Sequence, residues 1–192
     1  MMQLRTTLFG GSFNPIHNGH IRLSRHLIDK GLTDEVWLLV SPQNPLKQKQ
    51  GLLDESLRLE LAEMALENEP HIHASDFEFS LPRPSYTWNT LCELSKAYPE
   101  RSFSLLIGAD NWLIFDKWAH TDDILRNYPI LVYPREGYPI DPASLPASVQ
   151  LIDAPTFPYS STQVREALSA GKDCSHMVPA VIAQRLKHTS FE

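Results

Sequence analysis

A chain of 192 residues, 42% apolar and 21% charged, is long enough to bury a sizeable core and too apolar to be disordered. Its net charge of −6 excludes a general nucleic-acid binder, which needs a basic surface to neutralise phosphates. No apolar run approaches the roughly 20 residues of a membrane span, the first residues do not make a secretory leader, and Cys92 and Cys174 read as reduced thiols of a cytoplasmic protein.

Residues 5–9 predict a first strand, and 18–30 a helix with Ile21, Leu23, Leu27 and Ile28 on one face and a stop at Gly31. The continuous apolar run over 35–40 predicts a strand buried on both faces. Asp54 is placed to cap a helix reaching about residue 68, with Leu57, Leu61, Met64 and Ala65 on one face. Further strands are predicted over 71–75, 102–107, 130–133 and 149–152, and further helices over 86–98, 161–170 and 179–187. This alternation predicts one α/β domain over 1–192: a Rossmann-like, doubly wound, mostly parallel sheet with helices on both faces.

In such a sheet ligands bind beyond the carboxyl ends of the strands, and the unusual residues follow strands. The first strand leads into Gly10, Gly11, Ser12, Phe13, Asn14 and on to His17 and His20. Adjacent glycines let backbone N–H groups approach a ligand. The two histidines, three apart at a helix start, share a face where the dipole favours anions. No third ligand of suitable spacing accompanies them, so zinc is not predicted. The second strand leads to Lys47, the fourth to Gly108, Ala109 and Asp110, the fifth to Arg135. The sixth leads to Ser160, Ser161, Thr162 and Arg165, with Ser160 and Gln163 spaced as a capping box. One edge of the sheet therefore gathers His17, His20, Lys47, Arg135 and Arg165, a local cationic site suited to polyphosphate.

The string from Gly10 to His20 resembles the signature of the nucleotidyltransferase superfamily. Together with residues 42–47, 85–91 and 108–110, Trp118, Arg135 and residues 161–165, it resembles one family within it, the bacterial nicotinate-nucleotide adenylyltransferases, over about residues 8–185. The resemblance implies ATP and nicotinate mononucleotide as substrates, deamido-NAD and pyrophosphate as products, and Mg²⁺ carried with ATP without a dedicated metal site. It assigns His17, His20, Lys47 and Arg165 to catalysis. It assigns Gly10, Gly11, Ser12, Phe13, Gly108, Asp110, Arg135, Ser161 and Thr162 to the nucleotide, and Ser85, Tyr86, Thr87 and Trp118 to the pyridine substrate. Neither nucleic acid nor membrane is an implied partner. The chain departs from the family pattern at Asn14, where aspartate is usual, at Leu46, where histidine is usual, and at Ala119, where tyrosine often stands. Rival readings are a sister adenylyltransferase acting on nicotinamide mononucleotide or phosphopantetheine, a class I aminoacyl-tRNA synthetase core, and a nucleotide-binding regulator without turnover.

Overall fold

The structure, a computed structural model, describes residues 3–42, 52–187 and 189. The strands are β1 (Leu4–Gly11), β2 (Glu35–Val40), β3 (Ile72–Ser75), β4 (Arg101–Gly108), β5 (Ile130–Tyr133) and β6 (Val149–Leu151). They form a six-stranded sheet in the order β3-β2-β1-β4-β5-β6, with every neighbouring pair parallel. The helices are α1 (Asn18–Asp29), α2 (Glu55–Leu66), α3 (Thr87–Ala97), α4 (Ala109–Trp112), α5 (Thr121–Asn127), α6 (Ser161–Ser169) and α7 (Ala180–Leu186).

Strand alternation builds two core layers, because successive side chains leave a strand on opposite faces. In β2, Val36, Leu38 and Val40 join one hydrophobic cluster, while Trp37 and Leu39 join the other. The first cluster is closed by Leu27 of α1, Leu61 of α2, Val164 of α6 and Ile182 of α7. The second is closed by Leu91 of α3, Ala109 of α4 and Ile124 of α5. Helices thus cover both faces, as the predicted doubly wound sheet requires. Leu27, Leu38 and Leu91 are wholly buried, and truncating such a leucine to alanine costs about 2–5 kcal/mol.

The local signals at helix ends hold. Gly31 takes φ +66° after α1, and the N–H of Leu32 reaches the Leu27 carbonyl at 3.0 Å. The Asp54 carboxylate accepts from the Ser56 N–H at 2.9 Å and caps α2. The short α4 and α5, and the 3₁₀ turns at Phe77–Ser80, Phe115–Lys117 and Pro142–Ser144, were not predicted. Three or four residues span too few turns for a 3.6-residue period to register, and the seven of α5 include one wholly buried apolar residue, Ile124.

Chain direction across the sheet reverses between β1 and β4: β2 and β3 lie to one side, β4, β5 and β6 to the other. A crevice opens at such a switch point, beyond the carboxyl ends of the two strands.

Candidate active site

Two cavities open side by side at that crevice. One, of about 470 Å³, is walled by the β1–α1 loop, Asp110, Arg135 and the head of α6. The other, of about 380 Å³, is walled by Glu78, Ser85, Tyr86, Thr87, Lys117, Trp118 and apolar residues of β1 and β4. Phe9, Gly10, Gly11, Asn111 and Tyr133 line both. A Cβ added at Gly10 would meet nothing within 4 Å, so the absent side chain leaves room at the junction.

His17 and His20 stand in the wall of the first cavity, their rings stacked with centroids 3.6 Å apart. His17 is the N-cap of α1: its Nδ1 accepts from the Gly19 N–H at 3.1 Å, and His20 Nδ1 accepts from the His17 N–H at 3.1 Å. An Nδ1 that accepts carries no proton, so each neutral ring holds its proton on Nε2 as a donor. Burial, reinforced by the charge of Arg135, lowers the His17 pKa to about 4. His17 is therefore a neutral donor and not one of the cations expected at this edge.

The first backbone N–H groups of α1 already have partners within the chain. The N–H of Asn18 donates to the Met177 carbonyl at 2.7 Å, that of Gly19 to His17, and that of His20 to the His17 carbonyl at 3.0 Å. These backbone donors are spent on the fold, so an anion would meet the imidazole N–H groups instead. Gly19 is required here, because a Cβ would lie 2.9 Å from the His17 ring.

Phe13 holds the loop from the other side. Its φ is +43°, a strained value for a side chain with a Cβ. Its buried ring packs edge-on against Phe9 and His20, at 5.7 Å and 4.9 Å between centroids. Asn14, the departure from aspartate, accepts the Leu53 N–H through Oδ1 at 3.0 Å, a bond that an aspartate would also accept.

At the head of α6 the predicted capping box is present: Ser160 Oγ accepts from the Gln163 N–H, and Gln163 Oε1 from the Ser160 N–H. The N–H groups of Ser161 and Thr162 then open the helix without acceptors inside it. The Ser161 hydroxyl donates to the Pro15 carbonyl at 2.9 Å. Arg165 donates to the Asn14 carbonyl at 2.8 Å and to Thr162 Oγ1 at 3.3 Å. Both residues tie α6 to the β1–α1 loop while lining the first cavity.

Arg135 pairs with Asp110 at 3.3 Å and donates to the Tyr133 hydroxyl at 3.3 Å. Gly108 makes this folding-back possible, since a Cβ there would fall 2.4 Å from Asp110 Oδ1. Gly10, Gly11, Ser12, Phe13, His17, His20, Asp110, Arg135, Ser161, Thr162 and Arg165 thus converge on one cavity. Lys47 and Leu46 lie outside the described residues.

In the second cavity, Tyr86 caps α3 without a side-chain hydrogen bond, so the first N–H groups of that helix lack acceptors within it. Trp118 Nε1 is buried with no hydrogen-bond partner among the described residues. The Ser85 hydroxyl donates to Glu78 at 3.2 Å, which makes it a brace for this wall as well as part of its lining. Ala119 lines the same cavity.

Sequence reasoning missed Arg58. It reads as one more polar position of α2, yet it is wholly buried. Its guanidinium donates to the carbonyls of Leu53, Ser12, Ser41 and Pro42, at 2.9, 2.6, 2.8 and 3.2 Å. It thereby fastens the ends of β1 and β2 and the start of α2 to one another. Holding the Ser12 carbonyl turns the N–H of Phe13, in the same planar peptide, the opposite way. Only the wrong type of residue on a helix face that should be half-buried could have flagged it.

The cytidylyltransferase-like family model matches residues 8–167. A protein of Bacteroides fragilis named "Probable nicotinate-nucleotide adenylyltransferase" is 47% identical over 190 residues, covering 98% of this chain and 94% of its own. A protein of Bacteroides thetaiotaomicron with the same name is 48% identical over 176 residues, covering 92% and 87%. In fold, the chain is similar to the Plasmodium falciparum nicotinic acid mononucleotide adenylyltransferase complexed with NaAD, with a TM-score of 0.80 at 17% identity over 95% of this chain and 94% of that one.

Proposed function

Since the chain belongs to the cytidylyltransferase-like family and, within it, to the nicotinate-nucleotide adenylyltransferases, we propose that it transfers AMP from ATP to nicotinate mononucleotide, giving deamido-NAD and pyrophosphate. The observation that carries the reading is the pair of cavities meeting at Gly10 and Gly11, one polar and lined by His17, His20, Arg135 and Arg165, the other lined by Trp118 and apolar residues of β1 and β4. Two substrates held in them would bring their phosphates together at the junction.

An oxygen of the mononucleotide phosphate attacks the α-phosphorus of ATP. A new P–O bond forms, the bond to the β-phosphate breaks, and pyrophosphate leaves with the electron pair. The nucleophile is an anion at neutral pH, so no general base is needed. The barrier lies in repulsion between anions and in charge gathering on the leaving group, which positioned donors reduce. His17 and His20 would donate to triphosphate oxygens through Nε2. Arg165 and the N–H groups of Ser161 and Thr162 would hold the leaving pyrophosphate, and Arg135 and Asp110 the adenylate side. ATP enters as its magnesium complex, whose ion keeps its waters and asks few protein ligands. The pyridine ring would pack on Trp118, with its carboxylate toward the uncapped head of α3 at Thr87. The reading includes a cytoplasmic location, consistent with both cysteines being free and with no described helix being long and apolar enough to cross a membrane.

Comparing kcat/KM for nicotinate and nicotinamide mononucleotides at fixed ATP and Mg²⁺ tests it. A donor facing the carboxamide NH₂ costs about 1–3 kcal/mol, so two such mismatches predict a nicotinate preference of roughly 10²–10⁴. Equal values, or the opposite order, remove the nicotinate assignment and leave adenylyl transfer alone.

A further inference from the structure

Glu78 sits in the 3₁₀ turn after β3, and its carboxylate is buried in the wall of the second cavity. Both oxygens are engaged: Oε1 accepts from the Thr90 hydroxyl at 2.8 Å, Oε2 from the Ser85 hydroxyl at 3.2 Å. Neither donor carries charge, and Glu78 has no ion pair among the described residues. A second charged residue in that wall, Lys117, is exposed at the rim. Two hydroxyls lower the cost of burying a carboxylate, but they leave its net charge in place. A buried charge is normally paired. Here the open side is the cavity itself, so its occupant is the natural counter-ion.

We propose that Glu78 is a specificity-determining residue for the acceptor substrate, its carboxylate supplying the counter-charge for the fixed positive charge of an N-glycosyl pyridinium ring. This rests on the adenylyltransferase reading above and deepens it. The pyridinium nitrogen is quaternary, so its charge does not titrate. The indole face of Trp118 attracts the same cation. The two together favour an oxidised pyridine nucleotide over a neutral ring of the same shape. The carboxylate of nicotinate is repelled by Glu78, which orients the ring with that group away from it, toward the head of α3 and the Lys117 rim. Glu78 therefore selects for the ring's charge, and other groups select for its substituent.

The matched probes are nicotinate mononucleotide and its 1,4-dihydro form, which has a neutral ring on the same ribose phosphate. kcat/KM for each is measured with ATP and Mg²⁺ on the full chain, on Glu78→Gln and on Thr90→Val. Wild type prefers the oxidised form. Glu78→Gln, similar in shape but uncharged, lowers that preference by about tenfold or more, as expected for loss of a charge pair shielded from bulk water. Thr90→Val removes a hydrogen bond and keeps the charge, so the preference stays near wild type even if stability falls. The proposal is overturned if Glu78→Gln slows both forms equally, if Thr90→Val moves the ratio as far as Glu78→Gln does, or if wild type favours the dihydro form. A wild type that adenylylates no pyridine mononucleotide removes the proposed function itself, and this inference with it.

Discussion

The histidines at the head of α1 show how one residue type can serve fold and site together. Each gives Nδ1 to a backbone N–H, and that bond fixes which nitrogen carries the proton. The sequence reading placed both among the cations of this edge, and the fold holds His17 neutral. Charge state depends on burial, which spacing does not reveal. The correction has a pH consequence. The His17 pKa falls from 6.5 to about 4 in the folded protein, so as pH drops the unfolded chain takes up its proton first. The stability this provides is complete above about pH 6.5 and is lost as pH falls toward 4. The total is on the order of 3 kcal/mol by linkage. Urea unfolding at pH 7 and pH 4.5 should show this loss in wild type. It should be much smaller in His17→Asn, which keeps a capping side chain and does not titrate. Equal losses in the two proteins would mean that His17 is not held neutral by the fold.

At the scale of elements, what was legible is what is local. The capping box of Ser160 and Gln163, the Asp54 cap and the Gly31 stop each lie within four residues of their partners. The strands announced themselves through apolar runs because the sheet is covered on both faces. Arg58 was not legible, since its acceptors Ser12, Ser41 and Pro42 lie 46, 17 and 16 residues away. No periodicity in α2 points to them. Arg58 is the strut between α2, the end of β1, which lines both cavities, and the end of β2, which lines the second. Arg58→Met should lower stability by roughly 2–4 kcal/mol, because carbonyls are left buried without donors. It should also raise KM for both substrates. Arg58→Lys, which restores charge and part of the bonding, should recover some of each. Thermal unfolding and steady-state kinetics on the same preparations check this. A variant that loses stability while keeping both KM values would confine Arg58 to folding.

For the whole molecule, strand order explains why residues so far apart in sequence meet. β1 lies at the reversal, and the loops that follow β1, β4 and β5 and the head of α6 face one crevice. Alternating strands and helices made the fold class readable, and the rule for open parallel sheets made the edge where the candidate residues gather readable. Division of that edge into two cavities was not readable, because it depends on the placing of Phe9, Asn111 and Tyr133 between them. Nor was the buried carboxylate of Glu78, whose turn carries no motif of its own.

The central claim is that the α-phosphorus of ATP is attacked by the phosphate of a pyridine mononucleotide. The most direct measurement follows label from ATP incubated with Mg²⁺ and nicotinate mononucleotide. Label at the α position should appear in the dinucleotide and label at the γ position in pyrophosphate, with neither transfer occurring when the mononucleotide is omitted. His20→Ala should slow both by roughly 10²–10³, as expected for a donor lost from the transition state. Release of γ label as inorganic phosphate, or no transfer of α label to the mononucleotide, would contradict the account.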